Sequence, residues 1–569
     1  MLTMTLLYSL LPLFFCGINI LLYTKDKDWI IANAILIVIF LEITYLNVYF
    51  NLPSRNLLSI ISGNGFIGLI YEGIAILLYK QLNIGLNAKI NSLIQPTLKS
   101  LIGLSGLFII VAVIGELYSS FSVKPTWNSI PKQYSKSTEA PTFKRNETPI
   151  ALVPATALNR VRKSTSDIPN SQYFNIPSTV QAQYYKGKPV YIIPLSYDGF
   201  FAMNKAKEIP GYFIIDATNQ NAEPKFIKHP YKYAQSAYFN YDVDRQIYRH
   251  NPKWLTMSGP QLEINDHGTP FWVQTVYESE AFSHRINYQQ LHVVVMNAQT
   301  GAQHTYSLKD LPKFIDEGIT SDAAADMNTF FGKFKHGYWN FSHTDLIKPT
   351  NNGPENGVTS IFNRDGSISY FTDFTNPNSK ADSAMGYSMI NARTGKLTYY
   401  SANGIMDSTG AKENADQNYK AQQWHASMPI LYNVNGRPTW VMTILDSSHA
   451  IRGYYYLDAK DQSIYGNGNN PTDALDSFRQ ALVNNNATAK NTPNVHQQSI
   501  SGTVDRCAVI TNKNKVMFTL QNSKTIYTIN TDDFPKANLL RTGDNVSFKA
   551  TIVNEQSTGN IEKFKNHDL

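Results

Sequence analysis

The chain has 569 residues and a formal net charge of +7, too mild a bias for a dedicated polyanion binder. Its two cysteines, Cys16 and Cys507, sit in segments of different character, so the sequence excludes a disulfide within one domain and a thiolate zinc site. Its length permits several domains that each hold together by a core.

Four apolar stretches fill residues 1–121, at about Met4–Tyr23, Trp29–Phe50, Leu57–Tyr79 and Leu101–Phe121. Each is long enough for a helix to cross a hydrocarbon layer of ~30 Å, which predicts a four-helix transmembrane domain. Residues 1–5 carry no basic side chain, unlike a cleaved signal peptide. Lys25, Lys27, Lys80, Lys89 and Lys99 fall in or beside the first and third loops, against Arg55 in the second. This bias predicts that both chain ends face away from the cytoplasm, with the C-terminal region extracytoplasmic (periplasm or cell surface) and the spans in a bacterial inner membrane. Glu42, Glu72 and Glu116 lie inside the spans with no Lys or Arg there to pair with them. A charge at mid-bilayer costs at least ~2.5 kcal/mol, so these three are the candidate intramembrane functional residues. The simpler reading is neutral carboxyls hydrogen-bonded between helices. Gly63, Gly65, Gly68, Gly103 and Gly106 suit close helix packing.

Residues 122–178 are rich in Pro, Ser, Thr and Lys and read as a polar stalk, with a short strand at Ile150–Val153. A pattern then recurs four times over 179–485. Each copy opens on Gly187, Gly268, Gly366 or Gly436, with an aromatic four residues on (Tyr191, Trp272, Tyr370, Trp440). Each closes on Asp or Asn followed by Ala (Ala217, Ala298, Ala392, Ala459). Such self-similarity predicts a tandem repeat. The opening glycines suit turns that need a positive φ, and Asp216, Asn297, Asn391 and Asp458 are turn formers first. One copy reads as a three-stranded antiparallel meander, too small to bury its apolar face alone. The Leu308–Ile315 and Ala323–Phe331 segments read as short helices, and Pro471–Val483 as a longer one ended by the Asn-rich run Asn484–Asn491.

This layout resembles the PepSY-type module of bacterial envelope proteins, a short helix followed by strands reading roughly G-x-P-x-[YW]…Y-x-[VI]-D-A-x-T-G. The third copy departs with Ile368 in place of Pro, and the last ends Asp-Ala-Lys-Asp. The resemblance implies extracytoplasmic regulation or binding and brings no catalytic residues. Beyond a polar linker, residues 497–569 hold five alternating strands with Leu-Arg-Thr-Gly-Asp before the fourth, which resembles an OB-type barrel. Its basic residues (Arg506, Lys513, Lys515, Lys524, Arg541, Lys549, Lys563, Lys565) and aromatics (Phe518, Tyr527, Phe548) are the elements of a nucleic-acid face, but interleaved acids make nucleic acid an unlikely partner.

The fold class expected is therefore membrane-anchored and multidomain: four transmembrane helices, a mainly antiparallel β (α+β) body of four repeats, and a small OB-like barrel. The sequence lacks His-Glu-x-x-His, Gly-x-Ser-x-Gly and a Gly-rich phosphate loop, so no catalytic, cofactor or metal site is predicted. His250, His267, His284, His292 and His304 share one repeat, but scattered strand-surface histidines are the simpler account. Aromatics make up 12% of the chain, and Trp272 and Trp440 are the candidate binding rings, with a core role the competing reading. The leading function is non-catalytic: a binding, scaffold or regulatory protein of an envelope assembly, partnered by the bilayer and by another envelope protein or itself. The alternatives are an envelope hydrolase acting on glycan or peptide, marked by two carboxylates in an aromatic-lined cleft, and a membrane-tethered nucleic-acid binder.

Overall fold

A computed structural model of the chain describes residues 1–82, 88–135, 152–278, 280, 282–377, 382–402, 404–434, 436–484, 495–510, 515–523, 525–531, 533–553 and 558–569. Among the described residues three helices are long and apolar enough to cross a membrane: Lys27–Asn51, Leu57–Gln81 and the stretch Ile94–Phe121 of the helix Ala88–Phe121. The expected first span is broken. It consists of Leu2–Tyr8 and Leu10–Leu22, bent by 62°, and counts as a fourth crossing only if the pair is taken together. Pro12 explains the break, because it has no N–H to offer the Tyr8 carbonyl and its ring crowds the turn before it. Asn64 of the next-but-one helix bridges the gap: its Oδ1 accepts from the Leu11 N–H (2.8 Å) and its Nδ2 donates to the Leu7 carbonyl (2.7 Å). Backbone groups freed inside a bilayer need such partners.

The repeats are real, and each has at least one strand more than the sequence suggested. The first comprises Gln181–Tyr185, Lys188–Ile193, Ile209–Asp216 and Lys225–Tyr231, an antiparallel four-stranded meander. The fourth is built alike from His425–Val434, Arg437–Leu445, Ile451–Asp458 and Tyr465–Gly468. In the second and third units, Pro270–Tyr277 and Ile368–Thr375 each pair with two short strands on one side, and again a strand follows the closing turn (Gln303–Ser307, Leu397–Ser401). The extra strand was missed because these segments are polar and half-buried, with no apolar run to mark them. A helix precedes each meander: Pro154–Lys163, Val243–His250, Ser321–Lys333 and Ser408–Asn418.

One hydrogen-bond pattern explains the repeated Gly, Pro and Ala. The opening glycines have φ of +76° to +81°, which L side chains adopt only with strain. Two residues on, the carbonyls of Pro189, Pro270, Ile368 and Pro438 accept from the closing alanine N–H at 2.8–3.2 Å. The carbonyl of the same alanine accepts from the chain entering the unit: from Leu152 to Ala217, Tyr233 to Ala298, Ile319 to Ala392 and Met406 to Ala459. Ile368 replaces Pro without loss because the position supplies a carbonyl, not a ring.

The segment read as a stalk is docked in its described parts. Trp127 Nε1 donates to the Phe331 carbonyl (2.9 Å), and Lys132–Tyr134 adds in parallel to Leu397–Ser401 of the third unit. The expected strand at 150–153 falls partly outside the described residues, and its described end, Leu152 and Val153, is buried coil leading into the first unit's helix. Leu308–Ile315 is not a helix. Pro312 disfavours helical backbone before it, and the Arg393 guanidinium occupies the carbonyls of Leu311, Pro312 and Ile315. The helices at Ser321–Lys333 and Pro471–Asn484 are present, and most of the Asn-rich run lies outside the described residues. The latter helix lies so close on the last strand that a Cβ at Gly466 would sit 2.0 Å from the Phe478 nitrogen.

One core joins the first three units, including Tyr191, Trp272 and Tyr370, and a second joins the third and fourth around Trp440. The C-terminal strands Val495–Ile510, Lys515–Leu520, Ile526–Asn530, Asn545–Val553 and Thr558–Asn566 pair in a closed ring in the order first, second, third, fifth, fourth. The second unit sits on the ends of the membrane helices. Arg55 donates to the Tyr248 carbonyl and lies 3.9 Å over its ring, and Arg245 Nε donates to the Tyr49 carbonyl (3.0 Å). Asn56 Nδ2 donates to the Ser283 carbonyl (2.7 Å).

Candidate functional site: an acidic cavity among three units

The segment 308–319 links the second unit to the third and carries Asp316 and Glu317 into the seam between units. Glu263, on a second-unit strand and wholly buried, accepts the backbone N–H groups of Asp316 (2.8 Å) and Glu317 (3.1 Å). Asp316 Oδ2 accepts the Tyr184 N–H of the first unit (2.6 Å). Gln183 spans to the same segment, donating to the carbonyls of Ile264 (2.7 Å) and Phe314 (2.9 Å). With Arg393 of the third unit gripping residues 311–315, all three units fix this strap.

Beside the strap opens a cavity of about 470 Å³. Glu317, Glu355 and Asp322 line it together with the amides Gln181, Gln235 and Gln261, and no Lys, Arg or aromatic residue lines it among the described residues. Glu317 is 2% exposed; its Oε2 accepts from Gln181 Nε2, and its Oε1 has no hydrogen-bond partner among the described residues. Gln261 Oε1 is likewise unpartnered. Glu355 accepts from the Ser360 hydroxyl.

Burial raises the pKa of Glu317, Glu355, Glu263 and Asp316. Glu317 is held well above the ordinary range by burial, then by Glu355 and Glu263. Glu355 is pushed up to about 7 by burial, opposed by the Ser360 hydroxyl and N–H. Glu263 is raised by burial and by Asp316, and Asp316 by burial. The cavity holds three acids and no base, and two acceptor oxygens of its lining residues, Glu317 Oε1 and Gln261 Oε1, have no partner among the described residues. It suits a ligand that brings positive charge and N–H groups. Among the described residues no His, Cys, Asp and Glu converge in a metal-holding group, and the five histidines are apart: His284 meets Glu116, His292 stacks on Trp254 and His250 bonds its own helix.

The three intramembrane acids are not brought together. Glu72 is fully buried in the helix bundle, where Asn19 Nδ2 donates to its Oε2 (3.1 Å) and to Asn33 Oδ1 (3.3 Å) and Tyr71 donates to Asn33 (3.2 Å). Glu42 is on the exposed outer face of its helix, and Glu116 lies 3.5 Å from His284 of the body. Trp272 and Trp440 are in the cores, 3% and 0% exposed, so neither offers a ring to a ligand. Their indole N–H groups donate to the carbonyls of Tyr233 (2.7 Å) and Met406 (3.1 Å), as Tyr370 donates to Ile319 (2.9 Å). In the C-terminal ring Phe518, Tyr527 and Phe548 are also buried, which removes them as stacking platforms.

Sequence reasoning passed over Glu263, Asp316, Glu317 and Glu355. Three of them lie outside the repeated pattern, and the longest glycine spacing, 98 residues from Gly268 to Gly366, holds all three. That excess length was the available signal.

No family model and no curated protein matches the chain. Two solved structures are similar to it in part. The C-terminal domain of Bacillus megaterium YpeB is 16% identical over 42% of this chain and 93% of that domain, with a TM-score of 0.11. The polysaccharide lyase Uly1 is 11% identical over 68% of this chain and 80% of that one, with a TM-score of 0.16. Scores of this size carry no argument about fold or chemistry.

Proposed function

We propose that the chain is a non-catalytic envelope protein whose body stands outside the cytoplasm and binds a cationic, amine-bearing ligand in the cavity among its first three units. The carrying observation is Glu317, a buried carboxyl that lines that cavity and has one oxygen without a partner among the described residues. The side assignment is supported by the contacts at Arg55 and Asn56, which put the body at the membrane face opposite Lys25, Lys27 and Lys80. The PepSY-like order of helix and strands supports a binding or regulatory role, in an assembly with another envelope protein or with itself. The strand order of the C-terminal ring, with the third and fifth strands parallel, supports an OB-type barrel.

The test is titration of the full-length protein in detergent with spermidine, for wild type, Glu317→Gln and Glu355→Gln. Binding that weakens at least tenfold in either variant is the expected result; equal affinity in all three, or none in the wild type, overturns the reading. A hydrolase is the second reading, favoured by Glu317 and Glu355 sharing one cavity and opposed by its lack of aromatic walls. Turnover of a cell-wall glycan or peptide that is abolished by Glu317→Gln would establish it.

A further inference from the structure

Between residues 122 and 484 the described large hydrophobics left exposed number twelve, and nine of them fall in three patches. Phe200, Phe201, Tyr238, Phe239 and Tyr241 form the first, with the Phe200 ring 5.5–5.8 Å from those of Phe201, Tyr238 and Phe239. Phe282 is the second. Tyr338, Trp339 and Phe341 form the third.

Each patch adjoins a bonded contact to the end of a different membrane helix. The Phe239 carbonyl accepts from Arg245 (2.8 Å), which also bonds Tyr49 near the end of Lys27–Asn51. Phe282 sits between Glu280 and Ser283, whose carbonyls both accept from Asn56 at the start of Leu57–Gln81. The rings of Tyr338 and Trp339 each lie 4.8 Å from Phe121, the last residue of the fourth apolar helix, and Lys124 donates to the neighbouring Lys335 carbonyl. The patches therefore lie beside the ends of three apolar helices, the level at which a bilayer crossed by those helices would have its headgroups. Phe201 and Phe341, 82% and 80% exposed, have little protein over them.

Aromatic rings are favoured in that zone, where an apolar body and a wet edge are both accommodated, whereas the same rings facing water form a patch that soluble surfaces avoid. We propose that these nine residues form a skirt by which the body itself rests in the outer part of the bilayer around the bundle. The membrane then holds the body through two attachments, the spans and the skirt, and fixes its tilt.

The experiment places a nitroxide at Phe201→Cys, Phe341→Cys and, as a remote control, Ser463→Cys, each in the full chain with Cys16→Ser and Cys507→Ser, in vesicles of phosphatidylcholine and phosphatidylglycerol. Collision with oxygen is compared with collision with a water-soluble nickel chelate. Oxygen preference at 201 and 341, with chelate preference at 463, is the expected result. Chelate access at 201 and 341 equal to that at 463 overturns the proposal. Low access of both quenchers at 201 and 341 also overturns it, since the skirt is then covered by protein. Circular dichroism of each labelled variant, matched to the parent, separates a misfolded body from either result.

Discussion

In the fourth unit Asp458 is wholly buried, and both of its oxygens are engaged: Oδ1 accepts the N–H groups of Lys460 (2.7 Å) and Asp461 (3.2 Å), and Oδ2 accepts from Arg437 Nε (2.5 Å). In the third unit Asp373 is similarly enclosed, accepting from Thr350, the Ser408 hydroxyl (2.7 Å) and the Ser408 N–H (2.8 Å). Glu317 is buried to a similar degree and lines a cavity, yet one of its oxygens has no partner among the described residues. An acid enclosed by donors closes a turn or caps a helix; an acid short of donors beside open space is positioned for something that supplies them. On the reading proposed above, the difference separates Glu317 from the structural carboxylates where burial alone does not.

That contrast breaks first at Asp458. Asp458→Ala strands Arg437 and leaves two turn N–H groups without their acceptor, so unfolding of the purified protein in urea should show a loss of about 3 kcal/mol or more. Trp440→Phe keeps an aromatic ring and removes the bond to the Met406 carbonyl, for an expected loss of about 1–2 kcal/mol in the same assay. Gly366→Ala meets no atom within 4 Å and pays only for its φ of +81°, about 1 kcal/mol. Glu317→Gln should leave stability within about 0.5 kcal/mol of the wild type, because burial already favours the neutral carboxyl and the amide is a neutral group of the same shape. A loss as large as that of Asp458→Ala would erase the distinction.

The pH dependence sharpens the same point. The Glu355 pKa is raised from 4.5 to about 7, so the folded chain holds this proton more tightly than the unfolded chain does. Its contribution to stability is complete below pH 4.5, declines as pH rises toward 7, and is lost above that. Thermal unfolding across pH 4–8 should show that decline, and Glu355→Gln should flatten it; an unchanged slope would remove Glu355 from the titrating set.

The apolar N-terminal helices, apart from the break in the first, and the repeat were legible because both have a plain sequence signal: ~20-residue apolar runs, and Gly-to-Ala distances of 23–30 residues. The turn roles of Asp216, Asn297, Asn391 and Asp458 were equally local and are as read. The fourth strands were not legible, since Lys225–Tyr231 or Gln303–Ser307 gains its partner only once the third strand is in place. The cavity was less legible still. It depends on Gln181, Glu263, Glu317 and Arg393, contributed by three units and by a linking strap, and no local pattern records their meeting. The candidate rings Trp272 and Trp440 illustrate the converse: the repeat that made them conspicuous is what places them inside.

The Asn64 bridge has a consequence for biogenesis. The first apolar segment is two short pieces whose break exposes the Leu7 carbonyl and the Leu11 N–H, and the side chain that satisfies them arrives only with the helix Leu57–Gln81. A nascent chain emerging from the ribosome must therefore keep its first apolar segment in a hydrated or translocon-sheltered setting until some 60 residues have been made. Membrane integration of this protein is thus a joint event of its first and third apolar segments, and Asn64→Leu should be seen as delayed or incomplete insertion before any defect in the finished fold.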